Sequence, residues 1–303
     1  MDKSALTHRE RRIVEAAAGG SAHGAIWGSS PELVVNHGVL CAVSFPYRDP
    51  KPQRSFTRIS GSTALEITAG KIPAFEEAFQ EVGLPYGSRA RLLMVHLCSM
   101  ALKNNSPIVQ LDRSFSGFAR ELGINPSGYS LGVLREQSLR LGAASVLIRK
   151  TTDDSIIQFQ GHIFDTLRFQ IGRPIDQKGL FPSDIVFNRQ FFESLSRHAV
   201  PLSKPAVYAL KHSARGLDIL FWLSSRLWRI DPRKPVTVKW TSLRFQFGNP
   251  DQQMRSFKTA FKTALRQALA VYPDARVEII RGGLKLENSR PPVPPREGRL
   301  LGV

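Results

Sequence analysis

Four basic residues, Arg255, Lys258, Lys262 and Arg266, step by 3, 4 and 4 along the segment from Gln252 to Val271. On a helix that spacing makes one stripe. Met254, Phe257, Phe261, Leu265 and Leu269 form an apolar face beside it. Such a helix packs one side on a scaffold and offers the other to a polyanion. The chemistry on offer is charge neutralisation and hydrogen bonding. An arginine fork fits a guanine edge or a phosphate, and a lysine supplies a point charge. Basic stripes also occur as solvated helix faces. Here a turn, Asn249-Pro250-Asp251, precedes the stripe, and a ribbon with Gly282-Gly283 at its bend follows it. That setting favours nucleic acid.

A second set of candidates lies earlier. Arg135 and Arg140 sit on a segment whose packing positions are Leu131, Leu134 and Leu141, with Glu136 diluting the charge. Ser127, Tyr129 and Ser130 stand at its N-terminal end. Hydroxyls and free N–H groups there suit a phosphate, and equally suit ordinary capping. Arg149 and Lys150 flank one ribbon turn, and Arg281 and Lys285 flank another. Ribbon cations of this kind contact the sugar-phosphate backbone and add salt-dependent affinity without sequence information.

Catalytic patterns are absent from the sequence. The seven histidines include no His-x-His pair, and Gly70-Lys71 lacks the glycine spacing of a phosphate loop. Asp153-Asp154 has no third carboxylate at a telling distance. No Gly-x-Ser-x-Gly or His-Glu-x-x-His occurs. The expectation is a binding protein, not an enzyme, with no metal and no cofactor.

The elements that must hold these residues follow from periodicity. Segment 1–32 reads as a flexible basic lead-in, whose cluster His8, Arg9, Arg11 and Arg12 is either a phosphate-touching arm or a solvated helix face. Val39 to Phe45, Phe56 to Ile59 and Ala64 to Thr68 read as strands, and Lys71 to Val82 as a helix carrying Phe75 and Phe79. The stretch from Leu33 to Thr68 is either core or a homodimer surface. From Ser88 one order appears: helix (88–103), strand (108–111), helix (114–122), turn, helix (131–141), then strands 144–150 and 155–169. It returns from Leu217 with helix 217–230, strand 236–239, a short helix ending at Gly248, helix 252–271, and strands 276–281 and 284–287. This is the order of a winged helix, occurring twice. The expected fold is α+β, with two tandem winged-helix domains at 33–180 and 181–289 and a Pro-rich tail at 290–303.

Composition narrows the partner. Lys and Arg number 42 against 25 Asp and Glu, a net charge of +17. A chain this basic meets nucleic acid or a lipid surface. Its apolar runs are too short to cross a membrane, and Met1 to Ala18 lacks the continuous apolar stretch of a secretory signal. Cys41 and Cys98 lack metal or redox spacing and read as reduced structural thiols. The expected compartment is the cytoplasm.

Several segments also carry a resemblance. They are Gly83-Leu84-Pro85-Tyr86-Gly87-Ser88-Arg89-Ala90-Arg91, Phe118 to Gly123, Leu217 through Leu223, Leu243 to Gly248, Tyr272 to Val277, and Ser289 to Pro295. In this order they resemble the RepA family of plasmid-encoded replication initiators from proteobacteria, over about Val43 to Pro295. The turn Ser127-Gly128-Tyr129-Ser130 departs from the glycine pair common at that place in the family. The resemblance implies sequence-specific binding of double-stranded DNA at a plasmid origin. It also implies recruitment of host replication proteins such as a helicase or its loader. A winged-helix transcriptional repressor is the alternative, and an origin-nicking enzyme a more distant one.

Overall fold

Thr7 and Glu10 open the first helix. The Glu10 amide donates to Thr7 Oγ1 (3.3 Å) and the Thr7 amide to Glu10 Oε2 (2.8 Å), a reciprocal cap. The computed structural model describes residues 7–21, 33–74, 78–111, 114–152, 154–168, 182–249 and 251–293. The helix, α1 (His8–Ser21), buries Glu10 and Ile13 on one face. Part of the expected flexible lead-in is therefore a packed element. Strand β1 (Leu33–His37) follows.

The expected strand over Val39 to Phe45 is instead the short helix α2 (Gly38–Ala42). His37 Nδ1 accepts from the Val39 amide at 3.1 Å, and this cap, with Leu40 and Cys41 buried, outweighs β propensity. Strands β2 (Ser55–Ser60) and β3 (Thr63–Thr68) form as expected. The expected helix over Lys71 to Val82 is a hairpin, β4 (Lys71–Pro73) and β5 (Phe79–Glu81). Ile72 is buried between exposed Lys71 and Pro73, the period of a strand, and Phe79 is exposed. Phe75 lies outside the described residues.

Next come α3 (Gly87–Lys103), β6 (Ile108–Gln110), α4 (Phe115–Glu121), α5 (Gly128–Ala143), β7 (Ser145–Thr151), β8 (Ile156–His162) and β9 (Phe164–Arg168). The single strand expected over 155–169 is thus two, parted at buried Ile163. Strand β10 (Asp184–Phe187) and α6 (Arg189–His198) follow. The remaining elements are β11 (Ala199–Ser203), α7 (Lys204–Ala209), α8 (Ala214–Arg226) ending in a 3-10 turn (Leu227–Arg229), β12 (Val236–Lys239), α9 (Trp240–Phe247), α10 (Met254–Ala270), β13 (Val277–Ile280) and β14 (Gly283–Leu286).

These elements divide into two units. A central unit holds Asn36–Ala199, and a terminal unit combines the chain up to Val35 with the chain from Val200 onward. In the central unit, β2, β3, β7 and β8 form an antiparallel sheet in the order β2-β3-β7-β8, and a second sheet runs β6-β10-β9. The boundary falls at Ala199/Val200, not after residue 180, because β10 is hydrogen-bonded between β6 and β9. In the terminal unit the sheet order is β12-β14-β13, α10 packs on α8, and α1 packs on α7 and α10. Both cysteines are buried thiols, and burial pushes Cys98 up to about 12, which keeps it inert.

Candidate nucleic-acid interface

Helix α10 has no glycine, proline or acidic residue between Met254 and Ala270. Phe257, Phe261, Ala264, Leu265 and Ala268 are buried. Phe261 meets Trp240 edge-on with ring centres 6.0 Å apart, and Phe257 and Phe247 each at 5.4 Å. The turn ahead of the helix is fixed from behind. Arg244 Nη1 donates to the Gln252 carbonyl (3.1 Å), and Arg215 Nε to the Phe247 carbonyl (3.1 Å).

Arg255, Thr259, Lys262 and Arg266 are exposed on the opposite face, and Lys258 is half-buried beside them. The Lys258 and Lys262 ammonium groups lie 5.3 and 5.9 Å from the centre of the Trp240 ring. Each such contact contributes about 0.5–1 kcal/mol at an exposed site and narrows where the charge can be. Thr259 and Thr263 turn their hydroxyls back to the carbonyls of Arg255 and Thr259. An open depression near the helix start is lined by Gln253, Arg255, Ser256, Thr259 and Ala260. Arg266 differs from the other cations, because its Nε pairs with Glu10 of α1 at 3.2 Å.

The β13–β14 hairpin bends at Arg281-Gly282, and Arg281 is exposed at the bend. Gly283 is required, since a Cβ there would collide with the Val238 carbonyl of β12. Lys285 is placed differently from Arg281. It lies within β14, the middle strand, with its ammonium 2.7 Å from Glu287 and 3.9 Å from Glu278. The Glu287 hydrogen bond and charge raise its pKa. Two carboxylates already answer this lysine, so it does not join Arg281 as an open cation.

In the central unit, Ser127 caps α5. Its Oγ accepts from the Ser130 amide (3.2 Å) and donates to Ser130 Oγ (3.0 Å). Tyr129 is 84% exposed. The Arg135 guanidinium lies over the Phe115 ring at 5.2 Å. Arg149 and Lys150 are exposed on β7, an interior strand of its sheet, and as neighbours on a strand they point to opposite faces.

Arg140 is a correction. It was expected to reach DNA, but it is buried. Its guanidinium binds both Asp49 carboxylate oxygens (3.2 and 3.0 Å), Glu136 (2.5 Å) and the Leu84 carbonyl (2.9 Å), with the Tyr86 ring 5.1 Å away. Burial alone would raise the Asp49 carboxyl, but hydrogen bonding to Arg140 and its charge hold the pKa below the ordinary value. The segment Gly83 to Arg91 builds this socket. A Cβ at Gly83 would strike the Arg140 guanidinium, and the Tyr86 amide donates to Gln137 Oε1 (2.7 Å). Arg91 is buried as well and donates to the carbonyls of Phe45, Pro46 and Gly87. The residues that carry the resemblance here are scaffold.

The sequence alone missed Trp240 as the rest for two lysines and Glu10 as the partner of Arg266. A tryptophan opening the helix that precedes the lysine stripe was the legible signal for the first. The second contact joins residues 256 positions apart in the chain, with no local sign. Among the described residues no group of three or more His, Cys, Asp or Glu could hold a metal ion, and no helix is long and apolar enough to cross a membrane.

The fold and this face together define a two-unit mixed α/β protein with a basic helix on its terminal unit. A similar fold occurs in domains 2 and 3 of RctB. One crystal structure, of selenomethionine derivatives, aligns with a TM-score of 0.50 at 10% identity, over 83% of this chain and 98% of that one. Another, of RctB domains 2–3, aligns with a TM-score of 0.45 at 10% identity, over 82% and 96%. No curated protein sequence matches. Residues 84–242, just over half of the 303-residue chain, match the family described as plasmid encoded RepA protein, and the chain belongs to that family.

Proposed function

We propose that this protein is a plasmid replication initiator that binds double-stranded DNA sequence-specifically at its origin and helps to recruit host replication proteins such as a helicase or its loader. It acts by binding, not by catalysis. The observation that carries this reading is the acid-free outer face of α10. Arg255, Lys258 and Lys262 stand there, opposite the buried Phe257, Phe261, Ala264, Leu265 and Ala268. Membership of the RepA family supports the initiator role.

In this reading the terminal unit is a winged helix. The order α8, β12, α9, α10, β13, β14 and the strand order β12-β14-β13 support it. Helix α10 enters a major groove, and Arg281 at the hairpin bend meets the backbone. The central unit has the same succession, α3, β6, α4, α5, β7, β8, and in this reading it presents α5 with Tyr129 and Arg135. Its sheets are rebuilt, because β3 takes β7 and β10 takes β6. Two DNA-binding units on one chain gain affinity through effective concentration.

The test is a gel shift on DNA tiled across the gene and its flanks, with excess nonspecific competitor at near-physiological salt. Wild type is compared with Lys258→Ala/Lys262→Ala. Binding to one repeat-bearing fragment, weakened in the variant, is expected. Equal, salt-labile binding to every fragment would overturn the reading. A plasmid-maintenance assay separates an initiator from a repressor with the same fold, since a repressor does not sustain replication.

A further inference from the structure

We infer that α1 is part of the DNA-binding face of the terminal unit, with Glu10 as the latch and the exposed arginines Arg9 and Arg12 as additional phosphate contacts. The inference rests on the reading of α10 given above. Helix α1 packs on α7 and α10, both distant from it in sequence. Glu10 is buried, with only 6% of its side chain exposed, and its Oε1 lies 3.2 Å from Arg266 Nε. Its other oxygen closes the cap with the Thr7 amide. One carboxylate therefore both starts α1 and fixes the helix beside the basic stripe.

The two residues after Thr7 and the two after Glu10 bring charge to this place. His8, Arg9, Arg11 and Arg12 are all exposed, while Ile13 turns inward. On α1, Arg9 and Arg12 are one and two residues from Glu10, so only about 1.5 and 3 Å along the axis separates them from the residue that touches Arg266. Glu10 offsets a single positive charge of α10, and the outer side of α1 replaces it with more than one. Arg9 and Arg12, three residues apart, share the outer side of α1, and a patch of this sign on a helix that packs against α10 fits the phosphates flanking a groove. The expected contribution is affinity without sequence preference.

The experiment measures binding of full-length protein to its preferred fragment and to an unrelated duplex across a salt series. Arg9→Ala/Arg12→Ala is compared with wild type and with Arg189→Ala/Arg197→Ala, a control of equal charge change on α6 of the central unit. The expected result is a log K against log[salt] slope shallower by about two in the α1 variant on both duplexes, and unchanged in the control. Thermal melting of the α1 variant should match wild type, because both side chains are exposed. A slope equal to wild type, or an equal loss in the control, would overturn the inference while leaving the α10 reading intact. If wild type shows no binding to either duplex, the α10 reading itself fails.

Discussion

Lys258 and Lys262 share one indole, and Arg140 shares two carboxylates, so identical formal charges meet opposite fates. A cation resting on an aromatic ring keeps its charge available. A cation bound by carboxylates in a buried socket has already used it. Replacing Lys258 and Lys262 by alanine should lower the salt slope of DNA binding by about one per lysine and leave folding intact. Arg140→Ala should do the reverse. It leaves buried hydrogen-bonding partners unanswered, and urea unfolding should show a loss of about 3 kcal/mol. DNA affinity of the protein that remains folded should be unaltered. The Asp49–Arg140 pair also sets a pH dependence. A folded-state pKa held below the ordinary value gives stability that is present above about pH 4 and lost as pH falls further. Acid unfolding followed by tryptophan fluorescence checks this, and Asp49→Asn should flatten that limb.

At the scale of elements, the hairpin β13–β14 shows how closely packing specifies sequence. Gly283 sits where any side chain would meet the β12 backbone. Gly283→Ala should cost about 1–3 kcal/mol by overpacking and should loosen β12 against β14. Faster amide exchange at Val238 and Leu284, whose strands pair there, is the readout. Elements with long unbroken periodicity were legible in advance. Helices α3, α8 and α10 fall close to where apolar spacing puts them. The segment 71–82 was not, because Phe75 and Phe79 imitate a helical pair while Ile72 and Pro73 follow a strand. Val39 to Phe45 misled for a related reason. A run of β-favouring residues says nothing of a histidine cap two residues ahead.

At the scale of the molecule, the terminal unit is assembled from both ends of the chain. Removing residues 1–21 should therefore weaken protection from hydrogen exchange in α7 and α10, which α1 covers, and leave α3 and α5 unchanged. The sequence by itself determined the basic character, the two-fold succession of elements, the amphipathic α10 with its apolar and charged faces, and the family resemblance. These are local or summed properties, fixed by residue type and spacing. Only the tertiary structure decided that Arg140 is a core residue, that Lys285 is answered by two glutamates, that β10 belongs to the central unit, and that Glu10 holds Arg266. Each of these depends on which distant groups meet. Burial and pairing are set by the whole packed unit, so the charge of a side chain is in the sequence, but whether that charge faces solvent or a partner is in the fold.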